Sequence, residues 1–161
     1  MRRFFLFVLI CTLCAAPARA DNESDCAEAD DAATKITACS DVIESGKLSG
    51  PDLAWVFSNR GLGYRRAGAL QKAMEDYNEA IRLNPDYADA YGNRAYALDL
   101  LGKPEEAIAD WETALRLGGR DRVRRAQKYL KDKGHYKGAI DGAYGPKSRA
   151  ALRACVYDVN C

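Results

Sequence analysis

Apolar residues follow three patterns along the 161-residue chain. Residues 4–14 form an apolar run, too short to span a bilayer at about 20 residues. Further on, apolar and small residues recur at helical spacing and predict helices at 55–67, 70–83, 88–101 and 104–117. Gly68 breaks the first pair, and Asn84-Pro85 ends its second helix. Gly102 suits the position just past a helix end, and Pro104 suits the first turn of the next. Links this short force antiparallel neighbours. From Val123 the pattern becomes an amphipathic helix, a glycine-rich loop with an Asp141-Gly142 turn, and a last helix opened by Gly145-Pro146. Val123, Ala126, Gln127, Leu130, Ile140, Tyr144, Ala151 and Leu152 are its expected core. The fold class is all-α.

The middle of the chain repeats itself with a period of 34. Asn59-Arg60 aligns with Asn93-Arg94, Gly68 with Gly102, Ala73 with Ala107 and Tyr77 with Trp111. Residues 80–83 align with 114–117. The first unit carries Gly61 and Tyr64, then Ala73, Tyr77, Ala80 and Pro85. On these residues the segment resembles the tetratricopeptide repeat family. The second unit departs mildly, with Ala95, Leu98 and Gly119 in place of Gly, Tyr and Pro. Arg60 and Arg94 stand where leucine is common in that family, each with an acid sixteen residues later, Asp76 and Asp110. We read each pair as a half-buried salt bridge within one hairpin; a pair of ligand-binding arginines is the alternative. Offset by 38, Cys26 falls under Tyr64 and Cys39 under Tyr77, so 22–33 and 34–45 read as a degenerate first hairpin. The resemblance implies a short helical-hairpin solenoid that holds a protein or peptide partner. Its inner face would come from the first helix of each repeat. That selects Trp55, Ser58, Asn59, Leu62 and Arg65, then Asp89, Gly92, Asn93, Tyr96 and Asp99. Asn59 and Asn93 suit a peptide backbone, since an amide both donates and accepts.

The tail resembles a different family, the three-helix peptidoglycan-binding domain found with zinc peptidases. The matching residues are Val123, Gln127, Leu130, Gly134, Tyr136, Asp141, Gly142, Tyr144, Gly145, Pro146, Ser148 and Ala151. The family's aromatic-glutamine pair is replaced by Ala154-Cys155, and its final turn by residues 156–161. The resemblance implies a non-catalytic wall anchor, with Tyr136, Asp141, Tyr144 and Arg149 as glycan or stem-peptide contacts. The alternative is that these residues only hold the fold.

Composition then sharpens the picture. Arg2-Arg3, the apolar run and Ala18-Arg19-Ala20 read as a cleavable secretory signal, cut before Asp21. Ile10 and Leu13 before the two early cysteines argue against lipid attachment. Four cysteines then enter an oxidising compartment, and four allow three pairings. Their spacing favours Cys26–Cys39 and Cys155–Cys161; cross-pairing of the two ends is the alternative. Metal binding is not expected, because none of these four cysteines stands in a C-x-x-C and His135 stands alone in a turn. With 24 Lys and Arg against 23 Asp and Glu, no nucleic-acid arm is evident. No catalytic motif is found, and no cofactor is expected. The segments are 1–20 signal, 21–51 degenerate hairpin, 52–119 two repeats and 120–161 the wall-binding module. The expected function is a periplasmic, non-catalytic scaffold with no membrane anchor after signal cleavage. The alternatives are an adaptor or chaperone whose tail is only a cap, or a subunit of a wall hydrolase.

Overall fold

The computed structural model describes residues 22–159 and residue 161, so the expected signal segment lies outside the described residues. Three helical hairpins follow one another: α1 (Asn22–Glu28) with α2 (Ala32–Glu44), α3 (Ala54–Arg66) with α4 (Leu70–Leu83), and α5 (Ala88–Leu100) with α6 (Pro104–Leu117). Each packs on the next, α2 against α3 and α4 against α5. A 3₁₀ turn at Gly50–Leu53 leads into α3. Then come α7 (Gly119–Asp132) and α8 (Pro146–Val156), joined by the glycine-rich loop. There is no strand among the described residues.

The first hairpin differs from the expected 22–33 and 34–45. α1 stops at Glu28 because Asp31 opens α2 as its cap, its carboxylate accepting from the Thr34 N–H at 2.8 Å. So short a helix needs outside support, and two groups supply it. Cys26 and Cys39 are fully buried and disulfide-bonded, with Cα atoms 4.7 Å apart. Lys35 is 2% exposed, and its ammonium donates to the Cys26 and Ala27 carbonyls at 2.8 and 2.9 Å. A cation at the C-terminal end of a helix is favourably placed. Burial holds the Lys35 pKa below its ordinary value, with nearby Arg66 adding repulsion.

Close approach within hairpins follows from the small residues. A methyl on Gly61 would lie 2.7 Å from the Tyr77 ring. Tyr77 is wholly buried and packs with Ala73 and Ala97, the latter from the next hairpin. Its hydroxyl is pushed up to about 12 by burial, which outweighs the nearby Arg65 guanidinium.

The two arginine–aspartate pairs repeat in three dimensions. Arg60 donates to Asp76 through Nε and Nη2 at 2.9 and 2.7 Å. Arg94 donates to Asp110 through the same atoms at 2.6 and 2.8 Å. Each arginine also reaches back to the second helix of the preceding hairpin, Arg60 to Ser40 Oγ at 3.4 Å and Arg94 to Asn78 Oδ1 at 2.7 Å. A planar guanidinium suits this double duty, since its fork fills one carboxylate while the remaining nitrogen is free to donate elsewhere. The pairs therefore tie the two helices of a hairpin and that hairpin to its predecessor.

Asp76 and Asp110 are buried, while Arg60 and Arg94 keep partial contact with water. Removing one partner of a buried pair costs about 3–5 kcal/mol, and partial exposure of the arginine puts this case at the low end. Asp76→Ala is expected to lower unfolding stability by about 3 kcal/mol in urea titrations followed by circular dichroism. Asp86→Ala, on an exposed turn, is expected to change it by less than about 0.5 kcal/mol. Equal effects at the two positions would show that the pair contributes nothing.

Candidate functional site

The C-terminal module is organised around one buried amide. Gln127 on α7 has no exposed surface. Its Nε2 lies within hydrogen-bonding reach of Asp141 Oδ1 at 2.8 Å, Tyr136 Oη at 3.1 Å, Ala143 O at 3.1 Å and Ser148 Oγ at 3.2 Å. Its Oε1 accepts from the Gly142 N–H at 2.9 Å. One side chain thus gathers the loop and the start of α8. Gly142 has φ +74°, and a Cβ there would lie 2.8 Å from the Arg120 carbonyl, so this turn requires glycine.

Two sequence expectations need correction here. Tyr136 is only 5% exposed; its ring belongs to the core and its hydroxyl donates to Ala139 O at 2.9 Å. It has no free face for a sugar. Ile140, expected in the core, is 41% exposed, because the loop turns its neighbours inward to Gln127 instead. Asp141 remains at the surface, yet its Oδ1 accepts from both Gln127 and the Ala143 N–H. Those hydrogen bonds, Gln127 first, hold its carboxyl below the usual range.

This module is docked, not tethered. A single residue, Gly118, separates α6 from α7, and Gly119 has φ +66°. The module's core runs through into the last hairpin, where Leu115 and Trp111 join Val123, Leu130 and Leu152. Three acids of the last hairpin take cations from the tail. Asp89 binds Arg122. Glu112 accepts from Tyr144 Oη at 3.2 Å and pairs with Arg149 at 3.2 Å. Glu105 accepts from Tyr157 Oη at 2.6 Å and from Arg153 at 2.9 Å, and these hydrogen bonds, Tyr157 first, lower its pKa. Tyr144 and Arg149, two of the expected glycan contacts, therefore face the solenoid. Burial, then the Glu112 carboxylate, pushes the Tyr144 hydroxyl up to about 12.

Docking creates a cleft of ≈ 770 Å³ between α5, α6, α7 and the disulfide-closed end of the chain. Gly92, Ala114, Ala126, Leu130 and Leu152 contribute small and apolar surface. Four aromatics border it, Tyr96, Trp111, Tyr129 and Tyr157. Tyr96 meets Trp111 edge-on, with ring centres 5.3 Å apart. Trp111 occupies the repeat position of Tyr77, but it is only partly covered and its free side enters the cleft. Cys155–Cys161 closes the far wall, with Cα atoms 5.3 Å apart, and Tyr129 donates to the Cys161 carbonyl.

The expected inner-face residues divide among different environments. Tyr96, Asp99 and Gly92 border the cleft, and Asp89 holds Arg122 beside it. Asn93 donates to buried Ser58 Oγ at 3.1 Å, linking adjacent hairpins, so this amide is already engaged. Arg65 stacks over Tyr96 at 5.6 Å. Asn59 and Leu62 are half-buried on α3. Trp55 packs on the N-terminal core and borders a second hollow of ≈ 360 Å³ with Tyr87. The sequence reading passed over Trp111, Arg125, Tyr129 and Tyr157, which enter the cleft from elements outside the first helices. Tyr129 carried a usable signal: it stands off the α7 core row of Val123, Gln127 and Leu130.

His135 is also corrected. It is not an isolated surface residue: its side chain is 18% exposed, and Nε2 lies 3.0 Å from Asp158 Oδ2. It sits near Cys155 and Cys161. Both sulfurs are joined to each other, so neither is a thiolate available to a metal.

A repeated helical hairpin solenoid with a fused helical module is the class this geometry defines. Family comparison gives the particulars. Residues 61–102 match the family described as TPR repeat, and residues 88–118 the one described as Tetratricopeptide repeat. Residues 119–155 match the Putative peptidoglycan binding domain. No curated protein matches this chain. The chain therefore carries tetratricopeptide repeats followed directly by a peptidoglycan-binding-type domain. Both kinds of domain are generally non-catalytic binding modules.

Two measurements test this geometry. Gln127→Leu strands the loop's Gly142 N–H and the other partners of the amide, each at about 1–3 kcal/mol if left buried and unsatisfied. The expected result is selective loss of protection in residues 134–148 by hydrogen exchange, with α3 and α4 unaffected. The second is alkaline titration followed by tyrosinate absorbance. Burial pushes the Tyr77 and Tyr144 hydroxyls up to about 12 in the folded chain, against about 10 when unfolded. Their contribution to stability is present below pH ~10 and is lost as pH rises towards 12. Tyr77 and Tyr144 are expected to resist ionisation at pH 11 until the chain unfolds.

Proposed function

We propose that this chain is a non-catalytic scaffold of the periplasm that holds a protein or peptide partner on its solenoid and associates with the cell wall through its C-terminal module. The observation that carries this reading is the junction. Two modules matched to binding families share one core, and a cleft opens where they meet. Charge supports the division of labour. Residues 22–118 hold 10 Lys and Arg against 18 Asp and Glu, whereas residues 119–161 hold 11 against 4. A basic module suits a wall polymer whose stem peptides carry carboxylates. Export would bring the chain to that polymer, and the N-terminal segment supplies a cleavable signal for it.

A second reading has its own support. Tyr136, Asp141, Tyr144 and Arg149 all have partners inside the protein. If no other surface binds glycan, the module is a cap that completes the solenoid. Repeat stacks need terminal units that close the apolar end.

Co-sedimentation with purified sacculi separates the two. The chain is expected to pellet with sacculi at low salt and to be released as salt rises. Protein that stays in the supernatant at low salt would leave the cap reading standing. Mass analysis of the periplasmic fraction is expected to find a chain beginning at Asp21. A chain found only in the cytoplasm would overturn the location.

A further inference from the structure

We propose that the junction cleft takes a peptide segment of a partner protein that combines one bulky apolar side chain with an acidic residue beside it. This rests on the reading of the solenoid as a partner-binding module and adds the chemistry of what it binds.

The lining of the cleft selects the apolar side chain. Gly92, Ala114 and Ala126 leave space where larger side chains would fill it, and aromatics stand around that space. Tyr96, Tyr129 and Tyr157 are 52%, 47% and 57% exposed, an unusual concentration of uncovered rings on one hollow. A sugar ring would need several amides or carboxylates around its hydroxyls. Asp99 and Asp158 are the only acids on the cleft, Asp158 stands against His135, and no Asn or Gln lines it among the described residues. A bulky apolar side chain fits this lining better than a glycan does.

The basic face of α7 selects the acid. This helix carries six Lys and Arg against two Asp. Arg122 is committed to Asp89, and its guanidinium lies over Gly92. Arg125 also borders the cleft; it is exposed, and among the described residues it makes no ion pair or hydrogen bond. Lys128 and Lys131 on the same helix are likewise exposed and without such partners. An acid next to the apolar anchor meets Arg125 at the rim, where a guanidinium can take a carboxylate with two parallel hydrogen bonds. Complementary charge at a rim also excludes basic partners.

The test uses residues 21–161 with Trp55→Phe, which leaves Trp111 on the cleft wall as the single tryptophan. Three synthetic Gly-Ser decapeptides are titrated while its emission is followed. The first has a central phenylalanine flanked by two glutamates; the second has glutamines for the glutamates; the third has alanine for the phenylalanine. The first peptide is expected to shift Trp111 emission and to bind at least tenfold more tightly than either control. Arg125→Glu, checked for unchanged helicity, is expected to weaken it at least tenfold and to favour a lysine-flanked peptide. The inference is overturned if the three peptides bind alike or none moves Trp111. It is also overturned if Arg125→Glu leaves the preference for acid intact, or if a soluble muropeptide shifts Trp111 and displaces the peptide. Sacculus binding of the same variants is measured in parallel. Absence of sacculus binding by the Trp55→Phe chain, with its peptide binding intact, would contradict the wall-anchor reading and leave this inference standing.

Discussion

The two-glycine junction at 118–119 is the constraint on which the rest of the molecule turns. With one residue between α6 and α7, the chain has no linker to spend on independent motion. Gly119 takes a positive φ that other residues rarely adopt, and a side chain on Gly118 would meet Arg122 at 2.3 Å. α7 must therefore turn back onto α6 at once. Its apolar row meets Leu115 and Trp111, and its Arg122 meets Asp89. Once α7 is set, Gln127 draws in the loop, and α8 comes to rest where Arg149 and Arg153 reach Glu112 and Glu105. Each of those exposed pairs contributes little alone. The shared apolar core holds the orientation, and the pairs select among close alternatives.

The solenoid below the junction is built by a simpler device used twice. Bidentate Arg60–Asp76 and Arg94–Asp110 pairs set the depth of each hairpin, and the back-contacts to Ser40 and Asn78 set its rotation on the one before. The first hairpin lacks such a pair. Its position is held by the Cys26–Cys39 disulfide and the buried Lys35 ammonium. At the other end the sequence of hairpins stops, and Trp111 is left partly uncovered where Tyr77 one repeat earlier is sealed. An unfinished stack and a module docked across its end together make the cleft.

Much of this was legible in the residues. The 34-residue period placed helices at 70–83 and 104–117, the bounds of α4 and α6. Spacing pointed to the Cys26–Cys39 bond. Asp31 three residues before Thr34 was a readable cap, and missing it moved the α1–α2 break. The docking contacts were not readable in this way. Glu105 meets Arg153 and Tyr157 across 48 and 52 residues, and no local periodicity links positions so far apart. Tyr136 shows the same limit on a smaller scale. In a glycine-rich loop nothing sets which way a ring faces until Gln127 is in place to donate to its hydroxyl.

The central claim is that solenoid and C-terminal module move as one body. Backbone ¹⁵N relaxation of the exported chain tests it most directly, by comparing the tumbling time of residues 54–117 with that of residues 123–156. One rigid body predicts a single correlation time and one diffusion tensor for both sets. A shorter time for residues 123–156, with its own tensor, would mean a tethered module, and the cleft between them would not exist as a site.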